Sequence, residues 1–262
     1  MIETLGYIGS VCIGLILGLT GGGGSILTVP ILVYILSLSP VTATAYSLFI
    51  VGTTSSFGAF QNYRKGLVEV KTGFLFAIPS FIAVFLTRKF VVPLIPNTIF
   101  ETSFFTLTKD TFLMAFFANI MLMAAVSMLK KKKTITEDKT PSLPMLILQT
   151  FIIGIVIGLI GAGGGFLIIP SLVFFAKLPM KKAVATSLFI IAMNSLIGFL
   201  GDIQNIVIDW TFLLTFTSLS IVGIFIGIYL NKYINEVQLK KMFGYFVLLM
   251  SVFILVKEFI FV

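Results

Sequence analysis

Four successive glycines, Gly21–Gly24, interrupt an otherwise apolar segment, and the chain carries that interruption twice. The first copy reads Gly14-x3-Gly18-x2-Gly21-Gly22-Gly23-Gly24-x5-Pro30. The second reads Gly154-x3-Gly158-x2-Gly161-Ala162-Gly163-Gly164-x5-Pro170, with Gly165 where the first has Ser25. The offset is 140 residues throughout, and Ser47-Leu48-Phe49-Ile50 returns at the same offset as Ser187-Leu188-Phe189-Ile190. Apolar sequences share leucines and valines by chance, but not glycines, a proline and a serine in fixed register, so the chain is internally duplicated. Glycine unwinds helices and admits backbone angles closed to other residues. Each copy is therefore a helix that must break at a fixed place.

The surroundings of those breaks are apolar. Of 262 residues 58% are hydrophobic and 11% charged, where a soluble domain has about 25% charged residues; the mean hydropathy is +1.13. Sixty uncharged residues separate Glu3 from Arg64, and residues 111–129, 183–201 and 210–231 are further uncharged runs. About 20 apolar residues cross a bilayer. The fold class is an all-α polytopic membrane protein, multi-pass in the cell membrane, with the lipid bilayer as its solvent. A membrane β-barrel would alternate in ten-residue strands, which these continuous blocks do not. The net charge of +8 fits Lys and Arg in cytoplasmic loops rather than nucleic-acid binding, which needs a soluble basic face. Cys12 is the only cysteine and there is no histidine; no metal motif is present, no cofactor motif, and Cys12 is expected to pack as a small hydrophobe. Met1-Ile2-Glu3-Thr4 lacks the basic start of a signal peptide, so residues 5–20 are expected to be retained structure.

The pattern predicts a helix over 5–20, the glycine break, a short helix over 25–37, a turn at Ser39-Pro40, and helices over 42–60, 72–92 (kinked at Pro79) and 111–129, with an extramembrane loop over 93–109. The first membrane repeat is 1–129 and a basic cytoplasmic linker covers 130–144. The second repeat, 145–262, follows the same order: 145–160, break, 166–176, 183–200, 211–230 and 242–260. Pro30 and Pro170 cannot donate a backbone hydrogen bond and are expected to kink the short helices. The segment 5–37 would be about 50 Å long as one helix, against a hydrocarbon core of about 30 Å. That is long for one span and short for two, and favours a hairpin bent at the glycines. Counting a hairpin in each half places fourteen Lys/Arg on the linker side and four (Arg88, Lys89, Lys109 and Lys257) on the other. Counting single spans gives nine and nine. The positive-inside rule selects the first: two inverted-topology repeats, each a glycine-broken helical hairpin plus three transmembrane helices, with both termini outside. Arg88 and Lys89 are expected to snorkel from a helix end.

Short, Gly-interrupted segments at matching positions of inverted repeats point to a transport site. Each glycine run precedes a short helix whose first N–H groups lack intrahelical partners and carry the positive end of the macrodipole. The expected substrate is a small anion held near mid-membrane by two helix N-termini. The candidate residues are Gly21, Gly22, Gly23, Gly24, Ser25, Gly161, Gly163, Gly164 and Gly165, with Ser47 and Ser187 as equivalent hydroxyl donors. The other polar residues of these helices (Thr53, Thr54, Ser55, Ser56, Thr186, Asn194 and Ser195) are expected to bond helix carbonyls or neighbouring helices. Gln61, Asn62, Gln204 and Asn205 belong at helix ends. Gly14-x3-Gly18 and Gly154-x3-Gly158 suit close helix packing. With no Lys or Arg inside these segments, the anion's charge is expected to be met by backbone and hydroxyls alone.

These residues resemble a known family. Gly158-Leu159-Ile160-Gly161-Ala162-Gly163-Gly164-Gly165 with Pro170, then Ala185-Thr186-Ser187-Leu188-Phe189, and the first copy from Gly18 to Pro30 and Ala45 to Phe49, look like the sulfite exporter TauE/SafE family over nearly the whole chain. The resemblance implies a membrane transporter exporting sulfite, sulfoacetate or other organosulfonates. Its partner would then be a small sulfur oxyanion or organosulfonate. Gly22 opposite Ala162 and Ser25 opposite Gly165 make the half-sites unequal. A carrier of another inorganic or carboxylate anion is the nearest alternative. An intramembrane enzyme is the alternative from another class, for which no catalytic dyad stands out. Association into a homo-oligomer is left open. The topology is testable: in a Cys12→Ser background, single cysteines at Ser39 and Lys181 should be labelled by impermeant reagents from opposite faces, and labelling of both from one face would exclude opposed halves.

Overall fold

The structure, a computed structural model, describes residues 2–102, 105–129 and 143–260. α1 (Ile2–Thr20) breaks at Gly21-Gly22. The chain then turns into α2 (Gly23–Pro30), which continues as a π-helical turn over Ile31–Ile35. α3 (Pro40–Arg64) begins on an N-cap, Ser39 Oγ accepting from the Thr42 N–H at 3.3 Å, with Pro40 in the first turn, where its missing donor is harmless. α4 (Val70–Leu94) is α-helical to Leu86 and passes through a π-helical turn over Thr87–Val91. β1 (Thr98–Thr102) and β2 (Phe105–Thr108) form an antiparallel hairpin, and α5 spans Lys109–Leu129. The second half repeats the order: α6 (Leu143–Ile160), α7 (Gly165–Phe174), α8 (Met180–Asp202), α9 (Trp210–Leu230) and α10 (Glu236–Ile260).

The sequence reading located each of these helices to within a few residues at most ends. β1 and β2 lie within the expected extramembrane loop over 93–109, where Thr98, Ile99 and Phe100 are β-branched and aromatic residues that favour a strand. Leu143 and Pro144, assigned to the linker, already belong to α6; the remainder of the linker, 130–142, lies outside the described residues. Cys12 is exposed on α1 rather than packed.

Among the described residues five helices are long and apolar enough to span a bilayer: α4, Lys109–Ser127 of α5, α6, α8 and Trp210–Tyr233, which contains α9. The outer surface is apolar, with Phe60, Leu94, Met123, Leu148 and Leu249 exposed, as lipid requires. Many polar side chains are buried inside, and α3 and α8 carry more of them than any other helix.

The helices meet through small residues. α1 lies on α9: a Cβ on Gly14 would fall 1.8 Å from the Ser220 carbonyl oxygen, and one on Gly223 2.1 Å from that of Val11. Gly18 meets Ile224 and Ile228, so the two helices run parallel. α6 lies on α4 in the same way, Gly154 against Ser80 and Gly158 against Val84 and Thr87. Both GxxxG pairs thus serve close packing. α3 and α8 cross antiparallel, with Gly52 at Leu196, Gly58 at Leu188 and Gly198 at Leu48. Within the first hairpin, Gly6 faces Leu36, Gly9 faces Ile31, and Gly24 faces Ile13 and Leu17, so α2 folds back along α1. α5 and α10 pair and cover both hairpins, Met114, Phe117, Met121, Val247 and Ile254 packing with Ile26, Val29 and Phe166.

Gly14→Leu should lower the melting temperature of the purified protein far more than Gly66→Ala. The first drives a side chain into backbone, beyond the ~1–3 kcal/mol of ordinary overpacking. The second meets nothing within 4 Å and strains only a φ of +68°, about 1–2 kcal/mol. Equal melting temperatures would show that the α1–α9 contact is not limiting.

Candidate functional site

The breaks are made by left-handed backbone. Gly21, Gly161, Gly163 and Gly164 have φ of +73°, +69°, +65° and +70°, which L side chains adopt only with strain. In the first break the Gly23 N–H donates to Thr20 Oγ1 at 2.7 Å, and Ser25 Oγ donates to the Gly22 carbonyl at 2.6 Å. The second break has Ile160 in place of Thr20, and α7 starts with no side-chain cap. Its first-turn N–H groups are the freer donors.

The two breaks touch. A Cβ on Gly22 would lie 2.5 Å from the Gly165 carbonyl carbon, and one on Gly165 2.3 Å from the Gly22 Cα, so the starts of α2 and α7 meet backbone to backbone. Gly163 faces Val51, Ile191 and Ser195 Oγ; Gly21 faces Val184 and Ser187 Oγ. Gly24 and Gly164 do something else. Each faces the preceding helix of its own hairpin, Gly24 meeting Leu17 and Gly164 meeting Ile157, so valine at Gly164 would disturb the hairpin as well as any ligand.

The interior holds a set of buried polar groups, of which Ser187 and Ser195 face the breaks. Ser187 Oγ lies 2.8 Å from both the Gly21 and the Val184 carbonyl oxygens, which share its single O–H. Its counterpart Ser47 Oγ has no hydrogen-bond partner, and the same holds for Thr54 Oγ1, Ser55 Oγ, Asn194 Nδ2, Ser195 Oγ and Ser220 Oγ. All of these residues are fully buried. Ser56 does bond its own helix, at the Gly52 carbonyl; Thr54, Ser55 and Ser195 do not, contrary to the expectation for this group. Ser80 Oγ donates to Asn194 Oδ1 at 2.9 Å. Ser55 with Ser195 and Ser80 with Ser220 are identities at the 140-residue offset, the same signal that singled out Ser47 and Ser187. The repeat offset therefore marks them equally.

A charge also reaches the breaks. Arg88 is 1% exposed. Its Nη1 lies 3.3 Å from Asp202 Oδ2 and donates to Thr44 Oγ1 at 3.1 Å. A Cβ on Gly161 would fall 1.8 Å from Nη2, so the second break leaves room for the guanidinium. This corrects two expectations: Arg88 does not snorkel, and the interior near the breaks does hold a cation. Lys89 alone is exposed, its Nζ over the rings of Phe85 and Phe90. A lone arginine inside an apolar helix is by default a functional candidate, and that was the readable signal.

The positions equivalent to Thr44, Arg88, Asp202 and Gly161 are Val184, Ile228, Asn62 and Gly21. Of these, Val184, Ile228 and Asn62 border a cavity of about 260 Å³ also lined by Lys65, Lys181 and Lys232. Burial pushes the Lys65 ammonium below its ordinary pKa, and neighbouring Lys232 adds to the shift, as expected where cations gather without an anion. A separate cavity of about 450 Å³, lined by Phe60, Tyr63, Phe189, Met193 and Leu196, is apolar and offers an ion little. Among the described residues no group of three or more His, Cys, Asp or Glu could hold a metal.

The chain is similar over most of its length to known proteins. The family model described as "Sulfite exporter TauE/SafE" matches residues 7–254. A "Probable membrane transporter protein" of Xylella fastidiosa (strain 9a5c) is 27% identical over 263 residues, covering 97% of this chain and 95% of that protein. The "Probable membrane transporter protein YdhB" of Bacillus subtilis (strain 168) is 24% identical over 87% of this chain and 90% of its own. The "Probable membrane transporter protein MJ0441" of Methanocaldococcus jannaschii is 37% identical over 42% of this chain and 44% of its own. No solved structure matches.

A buried hydroxyl without a partner costs about 1–3 kcal/mol. Ser55→Ala and Ser195→Ala should therefore leave the ligand-free protein as stable as wild type or raise its melting temperature, whereas Ser80→Ala, which breaks a made bond, should lower it. A destabilised Ser195→Ala would mean that the hydroxyl is already satisfied.

Proposed function

The chain belongs to the sulfite exporter TauE/SafE family, and we propose that this multi-pass membrane transporter carries small sulfur-containing anions, sulfite or organosulfonates such as sulfoacetate. The anion is held where the two glycine breaks meet, at Gly21–Ser25 and Gly161–Gly165, with Ser47 and Ser187. Thr54, Ser55, Asn194 and Ser195 join the set. The observation that carries this reading is the contact of Gly22 with Gly165, with Ser195 Oγ beside Gly163 and, on the same helices, buried hydroxyls and an amide whose hydrogen-bonding capacity is unused. Helix N-termini and uncommitted O–H and N–H donors favour an oxyanion, and they offer a cation little.

The directions of packing support an inverted repeat. α3 and α8, equivalent in sequence, cross antiparallel, while α1 runs parallel to α9 and α6 parallel to α4. Each hairpin thus rests on the fourth helix of the other half. Two halves exchanged by such a pseudo-symmetry can rock about a shared central site, the arrangement that gives alternating access.

The affinity should be modest, of order micromolar to millimolar, since a few charge-assisted hydrogen bonds contribute about 1.5–3 kcal/mol each before desolvation is subtracted. Ser47→Ala and Ser187→Ala should each weaken binding by about 1–2 kcal/mol. Calorimetry of the purified protein with sulfite, sulfate, thiosulfate and short sulfonates, and anion flux into liposomes containing only this protein, test the reading. Tight binding of a metal cation, or serine variants indistinguishable from wild type for every anion, would overturn it.

A further inference from the structure

The polar constellation includes an ion pair that its duplication does not explain. Ser47, Ser55 and Ser80 recur in the second half as Ser187, Ser195 and Ser220. Arg88 and Asp202 do not recur; their counterparts are Ile228 and Asn62. Ile228, 4% exposed, packs where α9 meets Gly18 of α1, so the equivalent helix contact forms there without an ion pair. That weakens a purely structural account, because buried ion pairs can often be replaced by apolar residues of similar volume without loss. Arg88 is also only half used. Asp202 and Thr44 both lie on Nη1, while Nε and Nη2, fully buried, have no hydrogen-bond partner. Nε and Nη2 form the edge of a guanidinium that makes two parallel hydrogen bonds to an oxyanion. Nη2 lies against Gly161, the first residue of the second break.

We propose that Arg88 is the cation that recognises the transported oxyanion, through its Nε–Nη2 edge at the Gly161 break, with Asp202 and Thr44 as positioning residues that hold Nη1 and aim the fork. This deepens the anion-transport reading and rests on it. It gives the site a charge that backbone and hydroxyls lack. It also selects oxyanions, which offer two oxygens to a fork, over spherical halides. The backbone at Gly161 closes over this edge, so binding and release need the α6–α7 break to move relative to α4.

Calorimetry on the full chain in detergent, with sulfite, sulfate, methanesulfonate and chloride as probes, tests the assignment. Wild type should bind the oxyanions and prefer them to chloride. Arg88→Lys keeps the charge and the partner of Asp202 but loses the fork, and should weaken sulfite binding at least tenfold. Arg88→Gln/Asp202→Asn removes both charges together, should melt close to wild type, and should bind no oxyanion. Asp202→Asn alone loosens the fork but removes a negative charge beside the anion, so it should weaken monovalent methanesulfonate by a larger factor than divalent sulfate, a charge-dependent split that a merely structural role would not produce. Wild-type sulfite affinity in Arg88→Lys or in the double variant overturns the assignment and leaves anion transport standing. A wild type that binds none of the four anions overturns both.

Discussion

Backbone against backbone is the contact on which this structure depends. Between α1 and α9 there is no room for a Cβ at Gly14, Gly18, Gly223 or Gly227, and between α6 and α4 none at Gly154. In a bilayer, lipid tails solvate apolar side chains as well as a neighbouring helix does, so association must come from close van der Waals contact and polar links. The same device operates at the centre, where Gly22 and Gly165 abut. Glycine thus does two jobs along one segment. At Gly14 and Gly18 it seats a helix on its neighbour. A few residues on, positive φ at Gly21 ends that helix and turns the chain.

The consequence is an interior more polar than the surface. α3 and α8, the antiparallel pair at the middle, carry buried Ser, Thr and Asn side chains, while Phe, Leu and Met line the outside. In a soluble protein such a core would be a fault. Here it is what a solute passing between helices needs, provided the unused donors find partners when it arrives. The hydroxyls also explain why α3, at 25 residues the equal of any helix in the chain, is absent from the five that qualify as spans on hydropathy.

Much of this was legible in the residues. The helices followed from apolar run lengths, the breaks from glycine, the packing role of Gly14-x3-Gly18 from its spacing. The duplication could have yielded Ser55 and Ser195 as readily as Ser47 and Ser187. Arg88 was misjudged for a physical reason. Whether a basic side chain near a helix end reaches outward or inward depends on what stands inside, and Asp202 and Thr44 lie far away in sequence, on α8 and α3. Glycine roles divided in the same way: Gly164 facing Ile157 and Gly163 facing Ser195 are adjacent and alike in sequence, and only the turn of the chain between them separates packing from lining.

The unequal halves have a thermodynamic corollary. If the two repeats exchange roles as the transporter opens to one side and then the other, identical halves would make the two open forms equal in energy. This chain cannot balance in that way. One end is fastened by Arg88, Asp202 and Thr44; at the matching positions of the other stand Ile228, Asn62 and Val184 beside a lysine-lined cavity. The resting population must therefore lean to one side before any solute binds. Such a lean sets which compartment the empty carrier samples first and how fast it resets, while the direction of net flow is left to the gradients across the membrane.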